Sequence, residues 1–212
     1  QSAIEVSGGV LGFDGISDSQ RRVCLELQFE LGDPNLRLAA GQSLLSLGEL
    51  DVATMHQICL EILDLAPSHD LALSILEHDF ESLNTADMAR VLALRMAVVP
   101  LSDLSSLCIS LAARIKKEGD DPNAQRDAWS QALKADEKSI VARHELFLLA
   151  LNSGDQENAQ RFGALVLDGL ELGSAAHQEH LKLLDPFCVG APRLAVKVLG
   201  GLVHYSPEDL AL

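Results

Sequence analysis

Between Leu101 and Glu171 the chain repeats one pattern twice: a helix with an apolar stripe, a glycine turn and a second helix. The turn glycines, Gly119 and Gly154, are 35 residues apart. A pair of helices that returns at this interval is typical of a helical-repeat protein. Because one such pair cannot bury its apolar face alone, the recurrence predicts several pairs stacked side by side.

The same interval extends over most of the chain. Pro34, Pro67 and Pro100 are 33 residues apart, and Glu137 and Glu171 occupy the corresponding helix-end positions further on. The sequence therefore predicts an all-α fold over residues 17–212. We expect a right-handed α-α superhelix of about five helical hairpins, preceded by one lone helix.

Residues 1–16 differ from the rest of the chain. Four glycines and a loose alternation of apolar residues predict an extended, Gly-rich leader. The run 7–12 could instead cradle a phosphate, but it lacks a following lysine and a preceding strong strand. At the other end, residues 206–212 echo the opening of the second hairpin at 66–73, so we expect the chain to be a fragment of a longer protein.

Composition and charge restrict the fold and the partners. Hydrophobic residues make up 48% of the 212 residues and aromatic residues only 4%, so Leu and Ala must fill the core. This favours helix packing over a β-sandwich, which uses more aromatic and β-branched residues. The formal net charge of −15 argues against nucleic-acid binding, which needs a basic surface. No apolar run approaches the ~20 residues of a membrane-spanning helix, so we expect no membrane insertion.

The four cysteines are isolated from one another in the sequence. None forms a CxxC pair, and each lies inside or at the end of a predicted helix. They are Cys24, Cys59, Cys108 and Cys188. This pattern predicts small buried hydrophobic residues in a reducing compartment, and we expect a cytoplasmic protein without disulfides.

Small, aromatic and turn residues recur at matching positions of the predicted hairpins. They are Ala40-Gly41, Leu44, Gly48 and Ala53 in the first hairpin, Gly119, Trp129 and Ala132-Leu133 in the third, and Gly154-Asp155, Ala159 and Val166-Leu167 in the fourth. This set resembles the tetratricopeptide repeat family over residues 34–205. It departs from the family's pattern in that Leu44 or Ala150 fills the tyrosine position of the first helix. Periodicity alone leaves HEAT-like and other α-solenoids open.

Four of these positions have a packing explanation. Gly41, Ala53, Ala132 and Ala159 are expected where the two helices of a hairpin cross closely. A large side chain at such a crossing would force the helices apart.

The resemblance implies a concave face, formed by the first helix of each pair, that binds an extended peptide or a partner's helix. The residues at the family's groove positions are Asn35, Gln42, His78, Arg114, Lys117, His144, Leu148, Asn152, Gln178 and Lys182. Arg114, Lys117 and Lys182 could clamp a carboxylate of the ligand, although exposed cations on helices are ordinary. The family's two-lysine, two-asparagine clamp for a terminal carboxylate is not reproduced at matching positions.

No catalytic, cofactor or metal motif stands out. His177 and His180 lie three apart on one helix but lack a third ligand nearby in sequence, so we expect surface histidines. The acidic clusters 77–79 and 118–121 lack the calcium-loop pattern. No nucleophile-elbow or paired Cys-His motif is present. We therefore expect a non-enzyme that needs no cofactor.

Three functions fit these observations. The favoured one is a protein-interaction scaffold that binds a peptide or partner segment on the concave face. The chain could instead be the helical-repeat region of a larger enzyme, such as a glycosyltransferase or sulfotransferase. Self-assembly into a homo-oligomer is the third, because an open-ended array exposes apolar faces at both ends.

Overall fold

The structure is a computed structural model that describes residues 3–11, 15–48, 50–119, 121–172, 174–184, 186, 188 and 192–205. These residues contain twelve α-helices, two short 3-10 helices and no β-strand, so the all-α prediction is confirmed. The chain divides into two compact units, residues 1–98 and 99–212.

In the first unit, each helix packs against the next one along the chain. The elements are α1 (Ala3–Leu11), α2 (Asp18–Leu31), α3 (Pro34–Leu47), α4 (Val52–Leu65), α5 (Asp70–His78), the 3-10 helix η1 (Phe80–Ser82) and α6 (Thr85–Met96).

The second unit is built in the same way, and its last helix also contacts the third helix from the end. The elements are the 3-10 helix η2 (Leu101–Leu104), α7 (Ser105–Glu118), α8 (Pro122–Ala135), α9 (Ile140–Ser153), α10 (Gln156–Leu167), α11 (Ala175–Leu184) and α12 (Pro192–Tyr205). The 3-10 helix η2 leads directly into α7.

The helix pairs recur at a nearly constant interval. The first helices of five pairs begin at residues 34, 70, 105, 140 and 175, which are 35 or 36 residues apart. Their second helices begin at residues 52, 85, 122, 156 and 192. The predicted recurrence of helical hairpins is confirmed; residues 206–212, which suggested a further unit, lie outside the described residues.

Local capping explains where most of these helices begin and end. Asp121 precedes Pro122 at the start of α8, and its carboxylate accepts the backbone N–H of Asn123 at 2.9 Å. Asp155 caps α10 in the same manner, and hydrogen bonds from the Asn158 side chain and backbone lower the pKa of its carboxyl group. Gly154 ends α9 with a φ of 69°, a left-handed conformation that glycine adopts without a steric penalty.

The expected extended leader is wrong for residues 3–11, which form α1. Ile4, Ser7, Val10 and Leu11 are the buried or partly buried residues of this helix, a spacing that places them on one side. Helix α1 packs against α2, so α2 is not a lone helix. Packing against a neighbour overrides the low helix propensity of the glycines. Residues 1, 2 and 12–14 of the predicted leader lie outside the described part.

Three of the four small residues expected at close helix crossings are buried. Ala132 and Ala159 are 0% exposed, and a Cβ atom on Gly41 would lie 2.8 Å from Cε2 of Phe29. The prediction for Ala53 is wrong, because this residue lies on the exposed side of α4. The buried side of α4 is formed by Ile58, Cys59, Ile62 and Leu63.

Candidate functional site

The structure places all ten predicted binding residues on first helices of pairs. Seven of the side chains are exposed, and those of Arg114, His144 and Leu148 are partly buried. Leu148 packs against the core cluster around Phe147, so much of the Leu148 side chain belongs to the core. The exposed members are Asn35, Gln42, His78, Lys117, Asn152, Gln178 and Lys182.

In the first unit, the predicted residues lie on two helices. Asn35 is in the first turn of α3, and its backbone N–H donates to the capping carboxylate of Asp33. Gln42 lies two turns later, with its Nε2 atom 2.7 Å from Nε2 of His69, the residue that caps α5. The contact between Gln42 and His69 connects α3 to the start of the next pair. His78 is the last residue of α5.

In the second unit, a groove lies between α9, the end of α10 and α11, and it contains the predicted residue His144. The volume of the groove is about 380 Å³. Its lining is mainly aliphatic and is formed by Ile140, Val141, Val166, Leu170, Ala176 and Leu183, together with His144, Glu145, Glu179 and His180. We take this groove, called the α9–α11 groove below, as the candidate functional site.

Arg143 holds the first turn of α9 in place beside the groove. Its guanidinium group donates to the carbonyl oxygen of Leu165 at 3.0 Å and to that of Glu137. Leu165 is in the last turn of α10, where carbonyl groups lack partners within the helix. Hydrogen bonds from a charged donor to such carbonyls are strong, so this residue helps to fix α9 against α10.

Aromatic rings lie beneath the groove. The ring centroids of Phe147 and His180 are 4.7 Å apart in an edge-to-face arrangement, and those of His144 and His180 are 5.9 Å apart. Such contacts between α9 and α11 stabilise the pairing of the two helices. The ring of His144 therefore bridges the buried cluster and the groove lining.

The surroundings of His180 favour its neutral form. Its Nε2 atom lies 3.0 Å from the carbonyl oxygen of Gly163, which can only accept, so we assign the proton to Nε2. Burial lowers the pKa of His180; the bond to Gly163 opposes this effect, and the nearby charges of His144 and His177 when protonated add to it. The Nδ1 atom is buried and has no hydrogen-bond partner among the described residues.

The expectation that His177 and His180 are surface histidines is wrong. They are 4% and 2% exposed, respectively, and form one buried stripe of α11 with Leu181 and Leu184. The spacing of three, four and seven residues in this stripe was a readable signal of burial. Within the described residues, no group of three His, Cys, Asp or Glu side chains is arranged to hold a metal ion.

The charged groups that line the groove are carboxylates. Glu145 is partly buried and forms an ion pair with Lys116. The Nζ atom of Lys116 lies 2.6 and 2.7 Å from the two carboxylate oxygens of Glu145. Glu179 is exposed on α11. The groove lining contains no lysine or arginine. The predicted cations Arg114 and Lys117 lie on α7, and Lys182 lies on α11, so the carboxylate clamp stays a prediction.

Sequence reasoning missed most of this groove. Ile140, Val141, Glu179 and Leu183 are not among the predicted binding residues, although Val141 is 53% exposed. Exposed aliphatic residues are hard to recognise because a helix pattern shows only which residues share a side, not which side is covered. The aliphatic pair Ile140-Val141 could have indicated the groove, because this helix already has enough other apolar residues to form its buried side.

Most of the cysteines are buried. Cys24, Cys59 and Cys108 are buried thiols, and Cys188 is partly buried. Burial raises the pKa of the Cys59 thiol to about 12 and also raises that of Cys108. A thiol with a raised pKa carries little of the reactive thiolate at neutral pH.

A scan against protein-family models and a search of curated proteins returned no match. In the described part of the chain, none of the helices combines the length and the apolar character needed to cross a membrane.

Proposed function

We propose that the chain is a non-catalytic protein-interaction scaffold that binds a peptide or partner segment on the exposed side of its first helices. The observation that carries this proposal is the α9–α11 groove. Val141 and Leu183 leave 53% and 44% of their surface exposed beside it. Grouped apolar side chains around a depression are a common feature of surfaces that bind partners.

We further propose that the pairs within each unit stack as in tetratricopeptide repeats, forming a right-handed superhelical arrangement. The 35- or 36-residue spacing of the first helices supports this. So does the burial of Gly41, Ala132 and Ala159 at positions that resemble the family's small residues. Pairs stacked in this way would present their first helices, which carry the predicted binding residues, on one face of each unit.

The partner that we propose is a protein or peptide in a reducing compartment such as the cytoplasm. The net charge of −15 makes binding to the phosphate backbone of nucleic acids unfavourable. The buried thiols Cys24, Cys59 and Cys108 support a reducing environment.

The proposal is tested by panning the whole chain against a phage library of random 12-residue peptides and measuring the strongest binders by fluorescence anisotropy. A variant with Val141, His144, Asn152 and Gln178 of the first helices α9 and α11 changed to alanine should bind at least about tenfold more weakly, about 1.4 kcal/mol.

The matched control changes four exposed residues of the second helices α8 and α10 to alanine. They are Asp127, Lys134, Glu157 and Arg161. We expect this control to bind like the unchanged chain. Equal weakening of both variants, or a library that yields no binding peptide, would contradict the proposed scaffold function.

A further inference from the structure

We propose that the α9–α11 groove binds a basic, aliphatic polypeptide segment: one large aliphatic side chain with a lysine or arginine close to it. This inference rests on the proposed function and specifies its ligand. It follows from the distribution of apolar surface and of charge around the groove.

The apolar part of the groove calls for an aliphatic side chain. Ile140 and Val141 form one edge, on α9, and Leu183 forms the other, on α11, with exposed fractions of 38%, 53% and 44%. A side chain placed between them would remove apolar surface of both helices from water, which is favourable.

The charge at the groove selects for a cation. The lining contains Glu145 and Glu179 and no lysine or arginine, so a carboxylate on the ligand would find no lysine or arginine partner among the lining side chains. The charge of Glu145 is compensated by Lys116. Glu179 makes no ion pair among the residues that the structure describes, and it is exposed. It is therefore the carboxylate that we assign to the partner's cation.

The positions of Glu179 and Leu183 set the spacing of the two ligand groups. They are four residues apart on α11 and thus lie on the same side of the helix, about 6 Å apart along its axis. A ligand in which the cation and the aliphatic side chain are separated by a similar distance can contact both at once. Two residues in an extended segment, or one helical turn, provide this separation.

The experiment uses the peptides obtained from the random 12-residue library with the whole chain. We expect most of them to carry Leu, Ile or Val within four residues of Lys or Arg. Leu183→Asp should weaken their binding at least about tenfold by placing a charge in the apolar contact. Leu172→Asp is the matched control, because Leu172 is 72% exposed and lies outside the groove lining; it should leave the affinity within about twofold.

A charge reversal tests the role of Glu179. Glu179→Lys should weaken the binding of the basic peptides at least about tenfold. A peptide whose Lys or Arg is replaced by Glu should regain affinity for Glu179→Lys but not for the unchanged chain. The binding of the basic peptides to the unchanged chain should also weaken as salt is added. If Leu183→Asp lowers the thermal stability of the chain, Val141→Asp on the opposite edge replaces it.

Each alternative result overturns the inference in a recognisable way. Peptides that are acidic, or that bind Leu183→Asp and Glu179→Lys unchanged, would refute it and leave the scaffold function in place. In sedimentation, the average mass of the unchanged chain could rise with concentration while Leu183→Asp stays a monomer. That result would show that a second copy occupies the groove. A library without binders would refute both proposals.

Discussion

Gly163 on α10 lies directly against Leu184 on α11. A Cβ atom added at Gly163 would overlap Cδ2 of Leu184 and lie 3.1 Å from Cε2 of Phe147. Leu184 and Phe147 are both 0% exposed, so neither side chain can move into solvent to make room. The absence of a side chain at residue 163 allows the helices around the groove to approach closely.

Gly163→Ala should therefore destabilise the protein by about 1–3 kcal/mol through overpacking. The matched control is Gly200→Ala on α12, where a Cβ would meet no atom within 4 Å. Replacing an unstrained helical glycine by alanine should stabilise by about 0.4–1 kcal/mol. Urea denaturation of both variants checks the prediction, which fails if they shift the free energy of unfolding in the same direction.

The substitutions Ala132→Leu and Ala159→Leu should each lower the free energy of unfolding by about 1–3 kcal/mol, because both residues are fully buried between helices. Ala53→Leu is the control, because Ala53 lies on the exposed side of α4. Its effect should stay within about 0.5 kcal/mol. Thermal and urea unfolding measure all three; a large loss at Ala53 would show that the exposed side of α4 is covered.

The stability of the chain should fall as the pH drops below about 6.5. Burial lowers the pKa of His180 in the folded state below its unfolded value of 6.5. Above that value the residue is neutral in both states, so its full contribution is present. Below it, the unfolded chain takes up a proton that the folded chain resists, and the contribution is lost as the pH falls through the folded pKa.

The measurement is the free energy of unfolding in urea between about pH 7.5 and 5.5. His180→Phe, which keeps a ring beside Phe147, should reduce the slope with pH. His78→Ala serves as the control, since His78 is exposed at the end of α5 and should keep the slope of the unchanged chain. Identical slopes in all three proteins would exclude His180 as a source of the pH dependence.

Cys188 should react with a thiol reagent before the other three cysteines. It is the one that is only partly buried, whereas burial raises the pKa of Cys59 to about 12 and thereby suppresses the thiolate. The rate of labelling of the native chain by dithionitrobenzoate should show one fast site, which Cys188→Ser removes. Cys59 should react only on unfolding. Equal rates for Cys59 and Cys188 in the native chain would contradict this.

The helical repeat was predictable because its signals are local. The capping residue Asp121 and the turn residue Gly154 act on the helix ends beside them. The repeated interval between such residues predicted the succession of helix pairs that the structure shows. The ends of a helix depend on hydrogen bonds made by a few neighbouring residues, and those residues can be recognised in the sequence.

Burial was less predictable, as Ala53 and His180 show. A small residue on α4 proved exposed and a polar one on α11 proved buried, because each outcome depends on which neighbouring helix covers that side. The helix α1 likewise depends on its packing against α2 rather than on its glycine-rich sequence.

By itself, then, the sequence determined the all-helical repeat, the acidic charge and the isolated cysteines, since these follow from local spacing and composition. Only the tertiary structure decided that Ile140 and Leu183 flank one groove and that Glu179 is the exposed carboxylate beside it. The physical reason is that a helical pattern repeats every 3.6 residues and identifies the side that is apolar, whereas the packing of other helices decides which part of that side remains open.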